Sequence, residues 1–247
     1  MRIIEFYSEQ KICSYIPTKI SYFYYLYIEE CKNSFYRGLL ERGWRRFGKY
    51  FFVPICPDCK DCVSMRQIVQ DFSFSKNHKR VFAKNKSVKL IISRPKVDDE
   101  RLCLYDKYHK YMVKKKGWEY KGIDTLSYQD MFVDGFMDFG YEFAYCIDDK
   151  LIGLGLVDAF LDSMSAIYFF YDPDYEDLSL GTLNILSQIR TCKEKNLKYF
   201  YPGYWIKDHY CMGYKERFKP FEILVNAPDL FDIPLWKNYQ KEEDEVE

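Results

Sequence analysis

Three cysteines, Cys56, Cys59 and Cys62, form a C-x2-C-x2-C run whose spacing could gather several thiolates around one metal ion. Cysteine thiolates bind zinc, with each sulfur at about 2.3 Å, and they also hold iron–sulfur clusters. Three ligands leave a tetrahedral site open, and Cys13 is the first candidate for the fourth. The spacing therefore predicts a zinc site or an iron–sulfur cluster. The alternatives are redox-sensitive thiols and reduced thiols that only shape a loop.

Charge is divided unevenly along the chain, although the formal net charge is zero. Residues 1–121 carry 26 Lys and Arg against 13 Asp and Glu, whereas residues 122–247 carry 11 against 24. This asymmetry predicts contact with a polyanion such as nucleic acid, with attraction between the two halves as the alternative. The basic half includes a cationic face at helical spacing, suited to phosphates or simply solvated: Lys76, Lys79, Arg80 and Lys84.

The bulk properties predict a soluble cytoplasmic protein without a membrane partner. The sequence contains no apolar run of about 18 residues, and its first residues lack the pattern of a signal peptide. Nine cysteines spread over 247 residues make a poor disulfide framework, which is typical of free or metal-bound thiols in a reducing compartment. The length allows one large domain or two small ones, and it leaves the oligomeric state open.

Capping residues, turn residues and apolar periodicity predict an alternation of helices and strands. The expected helices cover residues 33–42, 75–85, 98–116, 127–138 and 183–195. The expected strands cover residues 44–53, 63–69, 87–92, 141–147, 151–158, 165–171 and 199–201. The cysteine run then lies on a connection between two strands. Asn33, Ser75 and Ser127 are the expected helix caps, and residues 242–247 form an acidic tail.

A three-strand meander, a loop that enters a helix, and a further strand follow the core order of acetyltransferase-type (GNAT) folds. We therefore predict an α+β protein with a GNAT-like mixed sheet, flanking helices and a small N-terminal α/β region that carries the cysteine loop. The expected divisions are residues 1–72, 73–235 and an acidic tail at 236–247. Coenzyme A is not expected, since four carboxylates in the loop before the helix would repel a pyrophosphate: Asp172, Asp174, Glu176 and Asp177.

Five ordered sequence blocks resemble one family, the aminoacyl-tRNA protein transferases. The N-terminal block joins Arg42-Gly43-Trp44-Arg45-Arg46-Phe47-Gly48 to Pro54, the cysteine run and Arg66. The others lie at residues 169–173, 179–182, 201–206 and 211–215, so the likeness covers residues 10–222. The C-x2-C-x2-C form is similar to the bacterial branch, the aspartate/glutamate leucyltransferases.

The resemblance implies transfer of an aminoacyl group from charged tRNA to the N-terminal amine of proteins that begin with Asp or Glu, which creates a degradation signal. Leucine is the expected donor residue, with arginine as the alternative, and the chemistry requires no cofactor. Arginine binds a carboxylate through two parallel hydrogen bonds, so Arg45, Arg46 and Arg66 are the expected acceptor-binding residues. Each could instead be a surface arginine or contact a phosphate.

Aminolysis of an ester needs positioning and oxyanion stabilisation more than an activated nucleophile, so no Ser/His/Asp triad is required. Asp172 is expected to hold the attacking amine and take its proton, although a turn or helix-capping role is the alternative. Tyr168, Tyr204 and Lys215 are the expected donors to the oxyanion or to the tRNA terminus. Two other functions remain as alternatives: a non-catalytic, metal-stabilised tRNA-binding module and an acetyltransferase.

Overall fold

The structure, a computed structural model, describes residues 1–240, so the predicted acidic tail at residues 242–247 lies outside the described part. The strands in chain order are β1 (Ile3–Tyr7), β2 (Lys11–Ile12), β3 (Ile20–Ser21), β4 (Phe23–Ile28), β5 (Arg45–Phe47), β6 (Tyr50–Pro54), β7 (Val63–Ile68), β8 (Lys89–Ser93), β9 (Gly140–Ile147), β10 (Lys150–Ala159), β11 (Ser163–Tyr171), β12 (Tyr199–Trp205), β13 (Glu222–Leu224) and β14 (Trp236–Asn238). The helices are α1 (Asn33–Glu41), α2 (Lys76–Lys84), α3 (Asp99–Lys116), α4 (Thr125–Tyr128) and α5 (Leu180–Glu194).

Within residues 1–240 the strands form two large sheets and a small two-stranded sheet of β2 and β3. Strands β1, β4, β6 and β5 form an antiparallel sheet in that order, against which α1 packs. The larger sheet has the order β14-β13-β7-β12-β11-β10-β9-β8, with α3 on one face and α5 on the other. The meander β9-β10-β11, helix α5 and strand β12 confirm the predicted GNAT-like α+β fold.

The sheet pairing crosses the expected division at residue 72, because β7 pairs with β12 and with β13 in the larger sheet. At the other end, β14 pairs with β13 although it lies inside the segment expected to be an acidic tail. Within residues 1–240, no helix is both long enough and apolar enough to span a membrane.

Local signals explain most helix ends. Ser75 caps α2 and exchanges hydrogen bonds with His78, as the prediction requires. The predicted cap at Ser127 is wrong, because Asp124 caps α4 by accepting from the Ser127 backbone N–H. The predicted cap at Asn33 is also wrong, since α1 follows Lys32 without a capping side chain. After α4, one π-helical turn (Gln129–Val133) ends the expected helix early.

The strand predicted at residues 44–53 is two strands joined by a tight turn at Gly48. Gly48 has φ +53°, and a Cβ there would lie 2.0 Å from the carbonyl oxygen of Asp130. Both the positive φ and the close contact require glycine. The turn brings β5 back along β6, so that Arg45, Arg46 and Phe47 lie beside the larger sheet.

Candidate active site

The centre of the candidate site is the gap between β11 and β12. These parallel strands pair only from Ser163 to Ser165 and from Tyr199 to Tyr201. Beyond that point Tyr168 follows on β11 and Tyr204 on β12, each half-buried. The hydroxyl of Tyr204 donates to the Gly43 carbonyl at 2.8 Å, which ties the N-terminal region to this edge of the gap.

The N-terminal hairpin packs against the same gap. The Phe47 ring lies 6.0 Å from the Tyr168 ring between centroids, and 5.8 Å from the Phe52 ring. The pKa values of Tyr168 and Tyr204 are both raised, mainly by burial. Tyr15, on the connection between β2 and β3, also raises both of them. The site is therefore assembled from both sheets.

Two of the three expected acceptor-binding arginines are engaged inside the protein. Arg46 donates to both carboxylate oxygens of the buried Asp158, at 2.7 and 2.5 Å. Arg66 donates to Glu222 at 2.6 Å, and its guanidinium lies 4.3 Å from the centre of the Trp236 ring. These ion pairs join β5 to β10 and β7 to β13.

Arg45 differs from its neighbours because it is buried without a carboxylate. Its guanidinium donates to the Trp44 carbonyl and to the Ser64 hydroxyl, and it lies 5.1 Å from the Tyr204 ring centre. Within residues 1–240, its Nε is a buried donor that has no acceptor. Burial lowers the pKa of Arg45, and the side chains that oppose this effect are all tyrosines, Tyr204, Tyr36 and Tyr201. Arg45 is therefore a buried cation without a counter-anion among the described residues.

Lys215 is a second buried cation beside Arg45. Its side chain is 7% exposed and donates to the Tyr204 carbonyl at 2.5 Å. The pKa of Lys215 is lowered to about 7, mainly by burial and also by the positive charge of Arg45, whereas Cys62 acts in the opposite direction. Two uncompensated buried cations make an anion-binding site, because a carboxylate would stabilise the charged form of both.

Tyr168 is hydrogen-bonded to a histidine. Its hydroxyl lies 2.9 Å from Nε2 of His109, whose Nδ1 lies 2.8 Å from the Tyr105 carbonyl oxygen. His109 is 6% exposed, and burial lowers its pKa. Tyr168 and Tyr204 thus both have internal hydrogen-bond partners, which leaves Lys215 and Arg45 as the donors with spare capacity for an oxyanion or a carboxylate.

Asp172 lies at the end of β11 and is surrounded by lysines. Its carboxylate pairs with Lys107 at 2.5 Å and Lys150 at 3.0 Å, and it caps the following 3-10 turn by accepting from the Asp174 backbone N–H. Burial opposes ionisation, but these hydrogen bonds keep the pKa of Asp172 below its usual range. The geometry gives Asp172 a capping and ion-pairing role, and its catalytic role stays a prediction.

The acidic loop that follows β11 is balanced by lysines. Lys107 also pairs with Asp174, Lys115 with Glu176, and Lys84 with Asp177 at 3.5 Å. The carboxylates thus have internal partners, and their charge alone is a weaker argument against pyrophosphate than the sequence indicated.

The predicted cationic face lies on α2, which packs against α5. Lys76, Lys79 and Arg80 are exposed, while the Lys84 ammonium group donates to the Asp177 carbonyl at 2.5 Å. All four basic residues are exposed, and Lys84 in addition bonds the loop that precedes α5.

The cysteine run lies between β6 and β7, as predicted, and Cys13 follows β2. All four are free thiols, and Cys56 accepts a hydrogen bond from the Tyr22 backbone N–H at 3.4 Å. The pKa of Cys62 is raised to about 12, mainly by burial, with smaller contributions from Cys13, Cys56 and Cys59. Yet among residues 1–240 no three His, Cys, Asp or Glu side chains are arranged to hold a metal ion. As placed, the thiols are neighbours and not a ligand set, and bound metal stays a prediction.

Comparison with known proteins places the chain in a family. Residues 11–80 match the family described as "Arginine-tRNA-protein transferase, N terminus", and residues 100–225 match "Arginine-tRNA-protein transferase, C terminus". The chain belongs to the arginine-tRNA-protein transferase family, which confirms the resemblance seen in its sequence and makes it an aminoacyltransferase.

Particular relatives refine this placement. A protein of Helicobacter hepaticus described as "Aspartate/glutamate leucyltransferase" is 57% identical over 97% of this chain and 99% of its own length. One of Campylobacter jejuni with the same description is 43% identical over 91% of this chain and 95% of its own length. The solved structure "Crystal structure of FemX" superposes with a TM-score of 0.48 at 10% identity, covering 78% of this chain and 67% of that one.

Sequence reasoning did not single out His109, Asp158 or Ser64. His109 lies on α3 with the apolar spacing of a core position, and Asp158 is 112 residues from its partner Arg46. The only sequence signal for His109 is its rarity, since the chain has three histidines.

Proposed function

We propose that this protein transfers leucine from leucyl-tRNA to the N-terminal amine of proteins that begin with Asp or Glu. The structural observation that carries the proposal is the buried pair Arg45 and Lys215 beside the β11–β12 gap, two cations that meet no carboxylate within residues 1–240. The descriptions of the two curated relatives, both aspartate/glutamate leucyltransferases, support the donor and the acceptor.

The acceptor side chain supplies the missing anion. Its carboxylate accepts from the free Nε–H of Arg45 and from the ammonium group of Lys215, which has one of its three protons bonded to the Tyr204 carbonyl. A carboxylate in this position raises the pKa of Lys215, so binding draws a proton onto the lysine near neutral pH. An amide side chain brings no charge, and binding of Asn or Gln acceptors leaves both cations uncompensated.

The tRNA binds through its phosphates to the exposed face of α2. Lys76, Lys79 and Arg80 are accessible there, on the α5 side of the sheet. Phosphate contacts position a nucleic acid and give salt-dependent affinity, while they read no base. The aminoacyl end is then presented at the gap between β11 and β12.

In the reaction, the neutral α-amine attacks the ester carbonyl of leucyl-tRNA and forms the new C–N bond. An α-amine has a pKa of about 8, so part of it is neutral at pH 7 without a strong base. The C–O bond to the ribose then breaks, and the proton lost by the amine returns to the ribose oxygen. The protein supplies position, charge stabilisation and a route for that proton.

The test is a transfer assay with leucyl-tRNA and peptides that begin with Asp, Glu or Asn. We expect leucylated Asp and Glu peptides and little product from Asn. Arginyl-tRNA is the parallel arm: product with arginine alone would reassign the donor, and no product with either tRNA would refute the function.

Variants test the acceptor site separately. Arg45→Met should raise the KM for the Asp peptide at least about tenfold, since a charge-assisted hydrogen bond is worth about 1.5–3 kcal/mol. Arg217→Met is the matched control, because Arg217 is an exposed arginine two residues from Lys215. An unchanged KM in Arg45→Met would remove Arg45 from acceptor binding.

A further inference from the structure

The hydrogen bond between His109 and Tyr168 takes no part in the acceptor binding or the tRNA binding proposed above. The carbonyl oxygen of Tyr105 can only accept, so Nδ1 of His109, 2.8 Å away, carries the hydrogen. In the neutral imidazole, Nε2 is then a bare acceptor. The Tyr168 hydroxyl, 2.9 Å from Nε2, must therefore donate its proton to His109. The bond to the Tyr105 carbonyl thus fixes the tautomer of His109, and with it the direction of the bond from Tyr168.

The surroundings hold this pair in one geometry. The His109 ring stacks on the Tyr105 ring at 3.8 Å between centroids and lies 5.1 Å from the Tyr120 ring. The Tyr168 ring is enclosed by Phe47 and Phe132. Since the hydroxyl proton of Tyr168 points to His109, the lone pairs of the Tyr168 oxygen face away from His109. Tyr168 is half-buried at the β11–β12 gap.

We propose that His109 and Tyr168 form the proton relay of the transfer reaction, with His109 acting through Tyr168. This inference rests on the proposed function. The attacking amine gives its proton to the Tyr168 oxygen while the Tyr168 proton moves to Nε2 of His109. When the ester C–O bond breaks, both protons return along the same path, and the ribose oxygen receives one. Tyr168 ends neutral, His109 ends neutral, and no other reactant is needed.

Charges around His109 favour a transient imidazolium and oppose a permanent one. Burial lowers its pKa, whereas the hydrogen bond to Tyr105 and the charge of Asp106, on the same helix, raise it. Tyr105 and Tyr108 on α3, Tyr168 on β11 and Tyr120 after α3 are the other titratable groups that contact the ring. All four are tyrosines, and because burial lowers the pKa of His109 from its usual value, the imidazole is in its neutral, proton-accepting form at pH 7.

The decisive variant is His109→Gln, whose amide oxygen can still accept from Tyr168 but cannot take a proton. His78→Gln, the same change in a histidine in the first turn of α2, is the matched control. The experiment is single-turnover transfer from leucyl-tRNA to an Asp peptide between pH 5 and 8, with tRNA affinity and thermal unfolding measured for each variant.

We expect His109→Gln to lose at least about 100-fold in rate, the lower end for general acid–base catalysis, with tRNA affinity unchanged. The wild-type rate should fall with a slope approaching two once the pH is below the pKa of His109, which burial lowers from its usual value, with one proton on the peptide amine and one on His109. The variant should keep a slope of one. His109→Gln combined with Tyr168→Phe should be no slower than Tyr168→Phe alone.

Three results would overturn the relay: a His109→Gln rate within threefold of wild type, a slope of two in the variant, or additive losses in the double variant. In each of these the wild type is active, so the proposed function would survive. A wild type that transfers neither leucine nor arginine would overturn the function and the relay together.

Discussion

Replacing Lys215 with methionine should stabilise the fold while weakening acceptor binding. The folded protein lowers the pKa of Lys215 from its usual 10.5 to about 7. At about 1.4 kcal/mol per pH unit, the buried ammonium group destabilises the folded state by about 5 kcal/mol when it is charged. Methionine has a similar length and no charge. It leaves the Tyr204 carbonyl without its donor, which costs about 1–3 kcal/mol. The net gain is about 2–4 kcal/mol.

The dependence on pH identifies the cause. Below pH 7 Lys215 is protonated in both the folded and the unfolded state, so the full destabilisation is present. Between pH 7 and 10.5 only the unfolded state holds the proton, and the destabilisation shrinks as pH rises. The gain from Lys215→Met should therefore be about 2 kcal/mol larger at pH 6.5 than at pH 8.5.

Urea unfolding of both proteins at the two pH values measures this difference. Lys207→Met is the control, since Lys207 is an exposed lysine in the same segment and should change stability by less than about 0.5 kcal/mol. A Lys215→Met protein that is less stable than wild type at pH 6.5, or whose gain is the same at both pH values, would refute the reasoning.

Three further predictions follow from the described contacts. Asp158→Asn leaves Arg46 buried without its partner and should destabilise the fold by about 3–5 kcal/mol in urea unfolding, and a loss below about 1 kcal/mol would contradict this. Lys79→Gln on the exposed face of α2 should weaken tRNA binding and reduce the dependence of log affinity on log salt by about 0.7–0.9, whereas an unchanged slope would remove that lysine from the phosphate contacts. In reduced, metal-free protein at pH 8, Cys62 should react with iodoacetamide at least about 100-fold more slowly than the exposed Cys103, because the pKa of Cys62 is raised to about 12. Mass spectrometry follows both reactions, and equal rates would contradict this prediction.

Local chemistry made much of the fold predictable. Ser75 followed by a basic amphipathic run correctly placed α2, and the meander with the helix after it correctly indicated the GNAT-like sheet. Strand β4 was missed, because its aromatic residues carry no clear alternation in the sequence. It forms through pairing with β1 and β6, which lie far from it in the chain.

The sequence offered candidate site residues by type, but it could not give the partners of their side chains. Arg45, Arg46 and Arg66 are equivalent as sequence, and only the fold shows that two of them meet Asp158 and Glu222 while one meets no carboxylate within the described residues. Such pairings join residues more than 100 positions apart. They depend on the packing of two sheets, which no local pattern encodes.

The most direct test of the account is leucine transfer to a peptide that begins with Asp, compared between wild type and Arg45→Met at equal tRNA saturation. We expect wild type to leucylate the Asp peptide and to use the Asn peptide poorly, and we expect Arg45→Met to have a higher KM for the Asp peptide. Equal use of Asp and Asn peptides by wild type, or no transfer with either leucyl- or arginyl-tRNA, would contradict it.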